Sequence, residues 1–204
     1  MNVTLLTSPT SFADMEKFAA LAALTCHANT EKPYVPHEVL GRIIKLGHES
    51  ILEHITLTYS VKGLSRACLQ ELARHRHISL SVESTRHTLK KNLSNPEWCE
   101  EEKECLHPVA SAALKASTYM VFAIIRNNDI SNDELKYYVP ECWPTNLILT
   151  SNIRELRHIL TLRTNPAALK EFQDLAHALF KAVPDQFKYL LEDCLYKEND
   201  NDNK

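Results

Sequence analysis

Arginine is unevenly spread along this chain of 204 residues. Six of its nine arginines fall in two segments: Arg74, Arg76 and Arg86 in the first, Arg154, Arg157 and Arg163 in the second. Arginine grips phosphate bidentately, so two arginine-bearing elements that converge would make an anion pocket. Salt bridges with the abundant Glu and Asp are the other reading of the same clustering. The first segment says more. Arg74-His75-Arg76 stands where a helix should end, and Ser81, Ser84 and Thr85 add hydroxyls ahead of Arg86. A loop holding cationic or switchable groups among several hydroxyls suits a phosphorylated small molecule. A charged helix C-terminus complementing the dipole would account for Arg74 and His75, but not for the downstream serines and Arg86.

Composition removes several function classes. Lys+Arg total 23 against 26 Asp+Glu, a net charge of −3, so no general basic surface serves nucleic acid, and no aromatic stacking platform accompanies the arginines. Only three glycines occur, Gly41, Gly47 and Gly63, so neither a dinucleotide fingerprint nor a P-loop can be placed. Any nucleotide or flavin must be held without those scaffolds. Six cysteines (Cys26, Cys68, Cys99, Cys105, Cys142, Cys194) form no C-x-x-C pair, which suits reduced thiols in a cytosol. Met1–Leu6 has no positive leader region and the apolar run Phe18–Leu24 is far too short to span a bilayer, so a cytoplasmic protein with no membrane partner is expected.

Other reactive residues lack the partners their chemistry needs. Ser84 has no G-x-S-x-G elbow, and Cys142 lies between prolines with no base in view, so neither reads as a nucleophile. His48 and His54 are six apart and His75 and His77 two apart, which does not match H-E-x-x-H, and no metal is expected. Glu49 and Glu53, four apart, read as site lining or surface.

These residues need elements to position them. Asn2–Thr7 reads as a strand, followed by helices over about Ala13–Ala28 and Pro36–Gly47. Ile55, Leu57, Tyr59 and Val61 alternate with polar residues as a half-buried strand. Ser65 caps a helix to about Ala73 with Leu64, Cys68 and Leu72 on its apolar stripe. Residues Arg74–Thr88 show no clear period and read as a loop. A long helix is expected over Pro96–Asn127, bent near Pro108, then a turn between Pro140 and Pro144 and a strand over Leu147–Thr150. Asn152 and Glu155 resemble a capping box for a helix to Arg163, and Asn165-Pro166 would open another. The expectation is an α+β fold: one helix-rich domain over residues 1–196 with a small antiparallel sheet, then a polar, disordered tail over 197–204.

The motifs then meet a family. Arg-His-Arg, seven residues, then Ser is the signature of the ThyX-type flavin-dependent thymidylate synthases, and Arg74 to Arg86 resembles it as a whole. The resemblance extends upstream through Gly47-His48-Glu49-Ser50 and Glu53-His54. It extends downstream through Asn152-x-Arg154-x-x-Arg157-His158 and Arg163, covering roughly residues 47–183. It implies a ThyX-like homotetramer with active sites between subunits. That enzyme methylates dUMP to dTMP with FAD, methylenetetrahydrofolate as carbon donor and NADPH as reductant, and without an enzyme nucleophile. By resemblance, Arg74, His75, Arg76, Asn152, Arg154 and His158 contact FAD, while Glu71, Arg74, Ser84, Arg86, Lys136 and Arg163 contact dUMP. Arg163 is the arginine that activates the uracil ring, where a guanidinium stabilises charge as C5 attacks.

Three positions depart from the family pattern. Lys136 stands where the family usually has Arg, keeping the charge and losing the bidentate fork. Val82 replaces a polar contact, and Glu71 puts a carboxylate near dUMP that needs pairing or protonation. These bear on substrate affinity rather than reaction class. Two other readings stand beside the enzyme: a non-catalytic nucleotide- or RNA-binding module, and a flavin-binding paralogue without turnover.

Overall fold

The computed structural model describes residues 1–93, 107–127 and 130–197. The first half of the helix expected from Pro96, with Cys99 and Cys105, and the tail beyond Lys197 lie outside them.

Local chemistry sets most element boundaries. Strand β1 (Asn2–Leu5) leads into helix α1 (Pro9–Thr25). Ser8 Oγ accepts the Ser11 amide at 3.1 Å and Pro9 occupies the first turn, so α1 starts four residues before the expected Ala13. Helix α2 (Pro36–Lys45) ends in a Schellman turn, in which His48 N–H donates to Ile43 O and Gly47 N–H to Ile44 O. Gly47 sits at φ +70°, which only glycine adopts without strain. A 3₁₀ helix, Glu49–His54, precedes strand β2 (Thr56–Ser65). The expected alternation holds, since Ile55, Leu57, Tyr59 and Val61 are fully buried. Helix α3 (Arg66–Leu72) follows at once, with Ser65 Oγ accepting the Cys68 amide at 3.1 Å.

The segment read as a loop is not one. Ile78–Val82 forms strand β3 and Thr85–Leu93 forms helix α4. Ile78, Leu80 and Val82 alternate with two serines, and this period of two is what the loop reading passed over. Helix α5 (Pro108–Asn127) is followed by α6 (Asn132–Leu135), with a capping box between Ser131 and Glu134. Strand β4 (Pro144–Asn152) runs straight into α7 (Ile153–Arg163). Asn165 makes a turn instead of a cap: its side chain accepts the Ala167 amide at 2.9 Å, and helix α8 (Lys170–Ala182) starts four residues later than that motif suggested. Two 3₁₀ turns, Asp185–Leu190 and Glu192–Cys194, close the described chain.

The fold is helix-rich with a small antiparallel sheet of strand order β1-β2-β4-β3. The chain divides into two compact units. One comprises Met1–Asn2, Ser60–Arg74 and Leu80–Ile148, and the other Val3–Tyr59, His75–Ser79 and Leu149–Lys204. In the first, Leu89, Ala110, Leu114, Val121, Leu135 and Trp143 make a core against which Cys142 and Ile130 pack. In the second, α7 and α8 bury Ile153, Leu156, Ile159, Leu160, Phe172, Leu175 and Leu179, and the Phe12 and Phe187 rings stack at 3.9 Å between centroids. No described helix is long and apolar enough to cross a membrane.

Removing the α3 cap should be felt globally, because β2 enters that helix without a linker. Ser65→Ala is expected to lower stability by about 1 kcal/mol in chemical denaturation. No measurable change would mean that the cap is not what starts α3.

Candidate functional site

Helix α7 is the platform. Asn152 ends β4 and caps the helix, its Oδ1 accepting the Glu155 amide at 2.8 Å. Ile153, Leu156, Ile159 and Leu160 face the core, whereas Arg154 and His158 lie exposed on the other side, as their spacing of four requires. Only half of the expected capping box forms: the Glu155 carboxylate is turned to His75.

His75 is the buried member of its motif. It is 6% exposed, while Arg74 and Arg76 on either side are exposed. Its Nδ1 lies 3.1 Å from Glu155 Oε1, and its Nε2 accepts the Arg163 Nε–H at 3.1 Å. An Nε2 that accepts carries no proton, so the ring is the neutral Nδ1–H tautomer, donating to Glu155. Burial lowers its pKa first, and the Arg163 cation lowers it further, against the pull of Glu155. The Arg163 guanidinium lies 4.6 Å from the centre of the Phe172 ring, and that ring also meets the edge of His75 at 5.7 Å. The His158 ring stands edge-on to His75 at 5.6 Å. His75, Glu155 and His158 could together offer three metal ligands, their donor atoms lying within 4.8 Å of one another. Both His75 nitrogens are already engaged, however, and the Arg163 guanidinium would repel a cation there.

The arginines fall into two classes. Arg157, whose side chain is 7% exposed, grips Asp193 with both terminal nitrogens at 2.6 and 2.7 Å, Glu49 through Nε at 2.8 Å and the Leu190 carbonyl at 2.7 Å. Burial opposes its charge, but the bonds to Asp193 and Glu49 more than offset that and hold its pKa above the ordinary value. It ties the C-terminal turns to α7. Arg154, 52% exposed, has one bond to Glu53 at 2.5 Å. Exposed pairs of that kind contribute at most about 1 kcal/mol, so an arriving phosphate can displace the carboxylate. Along this face runs a cavity of about 720 Å³ lined by Glu53, His77, Asn152, Arg154, His158 and Asp193 among others. That is within the usual size of ligand pockets.

The remaining expected residues belong to the other unit. Arg74 stands 3.9 Å from Glu71, an exposed pair that supplies the partner the Glu71 carboxylate needs. Ser84 lies at the start of α4, its carbonyl accepting the Thr88 amide at 3.1 Å. Arg86 in the first turn pairs with Asp133 at 2.8 Å, and its carbonyl accepts from Asn132 at 3.0 Å. Lys136, exposed, caps the short helix that carries Asp133, so Ser84, Arg86 and Lys136 share one neighbourhood. Val82 is half-buried. Cys142 is half-buried in the turn before β4, and burial raises its thiol pKa, which opposes a nucleophilic role.

Sequence reasoning missed Glu155 as a side-chain partner, Phe172, and the Asp193 clamp on Arg157. Glu155 was visible only as a cap residue, and nothing local marks Phe172 or Asp193.

Two outcomes follow from this geometry. Arg157→Met leaves Glu49 and Asp193 without their cation and should cost about 3 kcal/mol in denaturant, where an equally stable variant would show the clamp to be idle. Because folding holds His75 neutral, the unfolded chain takes up a proton that the native chain refuses once pH falls below about 6.5. Native stability should therefore decline from there downward, and His75→Asn should flatten the decline by up to about 1.4 kcal/mol per pH unit. An unchanged slope would mean that His75 titrates normally.

Comparison with known proteins places the chain in a family. Residues 6–187 match the family described as thymidylate synthase complementing protein. A flavin-dependent thymidylate synthase of Campylobacter jejuni is 40% identical over 176 residues, 79% of this chain and 82% of that protein. Its counterpart in Helicobacter pylori is 43% identical over 167 residues, 76% and 79% of the two chains. The crystal structure of Helicobacter pylori ThyX with FAD and dUMP superposes with a TM-score of 0.82 at 35% identity, over 97% of this chain and 100% of that one. With the family model over most of its length, these relatives and the fold all in agreement, this chain belongs to the flavin-dependent thymidylate synthase family, ThyX.

Proposed function

We propose that this protein methylates dUMP to dTMP using FAD, with methylenetetrahydrofolate as carbon donor and NADPH as reductant. The observation that carries this reading is helix α7, which presents Arg154 and His158 to a ligand-sized cavity and Arg163 to a buried neutral histidine, in a chain of this family. The residues fit a flavin dinucleotide. Arg76 and Arg154 are exposed cations, Arg154 held by the exposed carboxylate of Glu53, and suit a pyrophosphate, while exposed Arg74 of the other unit is proposed as a further flavin contact. His158 and Asn152 offer ring and amide contacts. Flavin, once reduced, supplies the hydride.

The chain's own residues then divide the work. His75 supports Arg163 from behind, leaving the guanidinium to stabilise negative charge on the pyrimidine as C5 attacks the one-carbon donor. Arg86 lies in the first turn of α4 and Ser84 directly before it, where the positive end of the helix favours the dUMP phosphate. Lys136 adds a point charge without a fork, which predicts a looser phosphate grip than arginine gives. Glu71, neutralised by Arg74, completes the substrate group. No enzyme nucleophile is needed. Residues 1–196 act as one catalytic domain, and the assembly is a homotetramer whose neighbours complete each site. Exposed Phe18, Val109, Met120 and Tyr137 are apolar surface that subunit contacts would cover.

Arg163→Ala should keep FAD while dTMP formation falls by at least about 100-fold. Turnover near wild type would overturn the role given to Arg163, and wild-type protein that binds FAD without ever making dTMP would point to the paralogue reading. Lys136→Arg should lower KM for dUMP, and an unchanged KM would place Lys136 away from the phosphate.

A further inference from the structure

We propose that Glu155 is a positioning residue for Arg163, acting through His75. Its carboxylate keeps the proton on Nδ1, which leaves the Nε2 lone pair directed at Arg163 Nε–H and fixes the heading of the guanidinium. This rests on the reading of Arg163 as the arginine that acts on the pyrimidine.

Three observations carry it. First, Glu155 is 7% exposed, and a carboxylate is not buried cheaply. It sits in the first turn of α7, where the helix end stabilises negative charge. The backbone needs only its amide, which Asn152 takes, so its carboxylate is free to serve His75. Second, the chain of contacts is continuous: Oε1 to Nδ1 at 3.1 Å, then Nε2 to Arg163 Nε at 3.1 Å. A neutral imidazole has one donor and one acceptor, so fixing the donor at one nitrogen fixes the acceptor at the other. Third, Phe172 holds the far side of both partners, under the guanidinium at 4.6 Å and against the edge of His75 at 5.7 Å. The ring supplies attraction without direction, and the His75 lone pair adds direction at Nε. With the proton on Nε2 instead, two N–H groups would face each other and Arg163 Nε–H would lose this acceptor.

The test reads the tautomer and turnover separately. On FAD-loaded protein carrying ¹⁵N-histidine, with His75 identified by its loss in His75→Gln, the wild type should show a protonated Nδ1 and a bare Nε2. Glu155→Met removes the acceptor. It should move His75 toward the Nε2–H form and lower kcat by about 100-fold with little change in KM for dUMP, as a misaimed group does. Glu155→Gln keeps an acceptor oxygen and should restore the Nδ1–H form and most of the turnover that Glu155→Met loses. A wild-type His75 protonated at Nε2 would overturn the proposal without any variant. So would a Glu155→Met protein whose tautomer changes with kcat intact, or whose kcat falls with the tautomer unchanged. Turnover missing from the wild type as well would strike the synthase reading alone, because the tautomer is read without catalysis.

Discussion

His75 is held as a neutral ring, burial and the Arg163 cation lowering its pKa against the pull of Glu155, and much of the site follows from that constraint. Its Nε2 faces a permanent cation at 3.1 Å in buried surroundings, so a proton there would set two positive charges together with little water to screen them. The ring is thus a rigid, neutral connector between a carboxylate and a guanidinium. Glu155 and Arg163 stand at opposite ends of α7, eight residues apart, and His75 bridges them along the helix. Asn152 fixes where that helix begins, and Phe172 on α8 closes the arrangement.

Charge placement separates structural arginines from those free to meet ligands. Arg157 has four short contacts and almost no water, and losing it would strand two carboxylates. Arg74, Arg86 and Arg154 hold single carboxylates at the surface. The energetic difference is large: an exposed pair contributes at most about 1 kcal/mol, whereas breaking a buried one costs about 3 to 5. Salt bridging therefore accounts firmly for Arg157 and only weakly for Arg74, Arg86 and Arg154, and it is the weak pairs that the proposed phosphate contacts would have to displace.

Much of the platform was legible in local pattern. The spacing of Arg154 and His158 against Ile153, Leu156, Ile159 and Leu160 gave the two faces of α7, and the alternation from Ile55 to Val61 gave the inner half of β2. Ser65 and Asn152 gave two helix starts. Local reading failed where polar residues hid a period, as with the serines between Ile78 and Val82, or where a strong cap stood ahead of the expected start, as with Ser8 and Pro9. It also failed where a side chain's partner is remote. Glu155 meets a residue 80 positions away and Arg157 one 36 positions away, and no window of sequence carries that information. The capping-box reading of Glu155 was right for its amide and wrong for its carboxylate, which turns to His75 instead of back to the Asn152 amide. The family resemblance supplied what pattern could not, namely the reason to look for the Arg-His-Arg segment and α7 together, and the structure joins them through His75, Glu155 and Arg163.

The central claim is that one site holds flavin and dUMP together, and the visible absorption spectrum of the purified protein before and after adding dUMP tests it most directly. The account predicts a bound-flavin spectrum that dUMP perturbs, because the proposed reaction draws its hydride from the reduced flavin and so needs both ligands bound within reach of each other. A flavin spectrum indifferent to dUMP, or no flavin bound even after reconstitution with FAD, would contradict it.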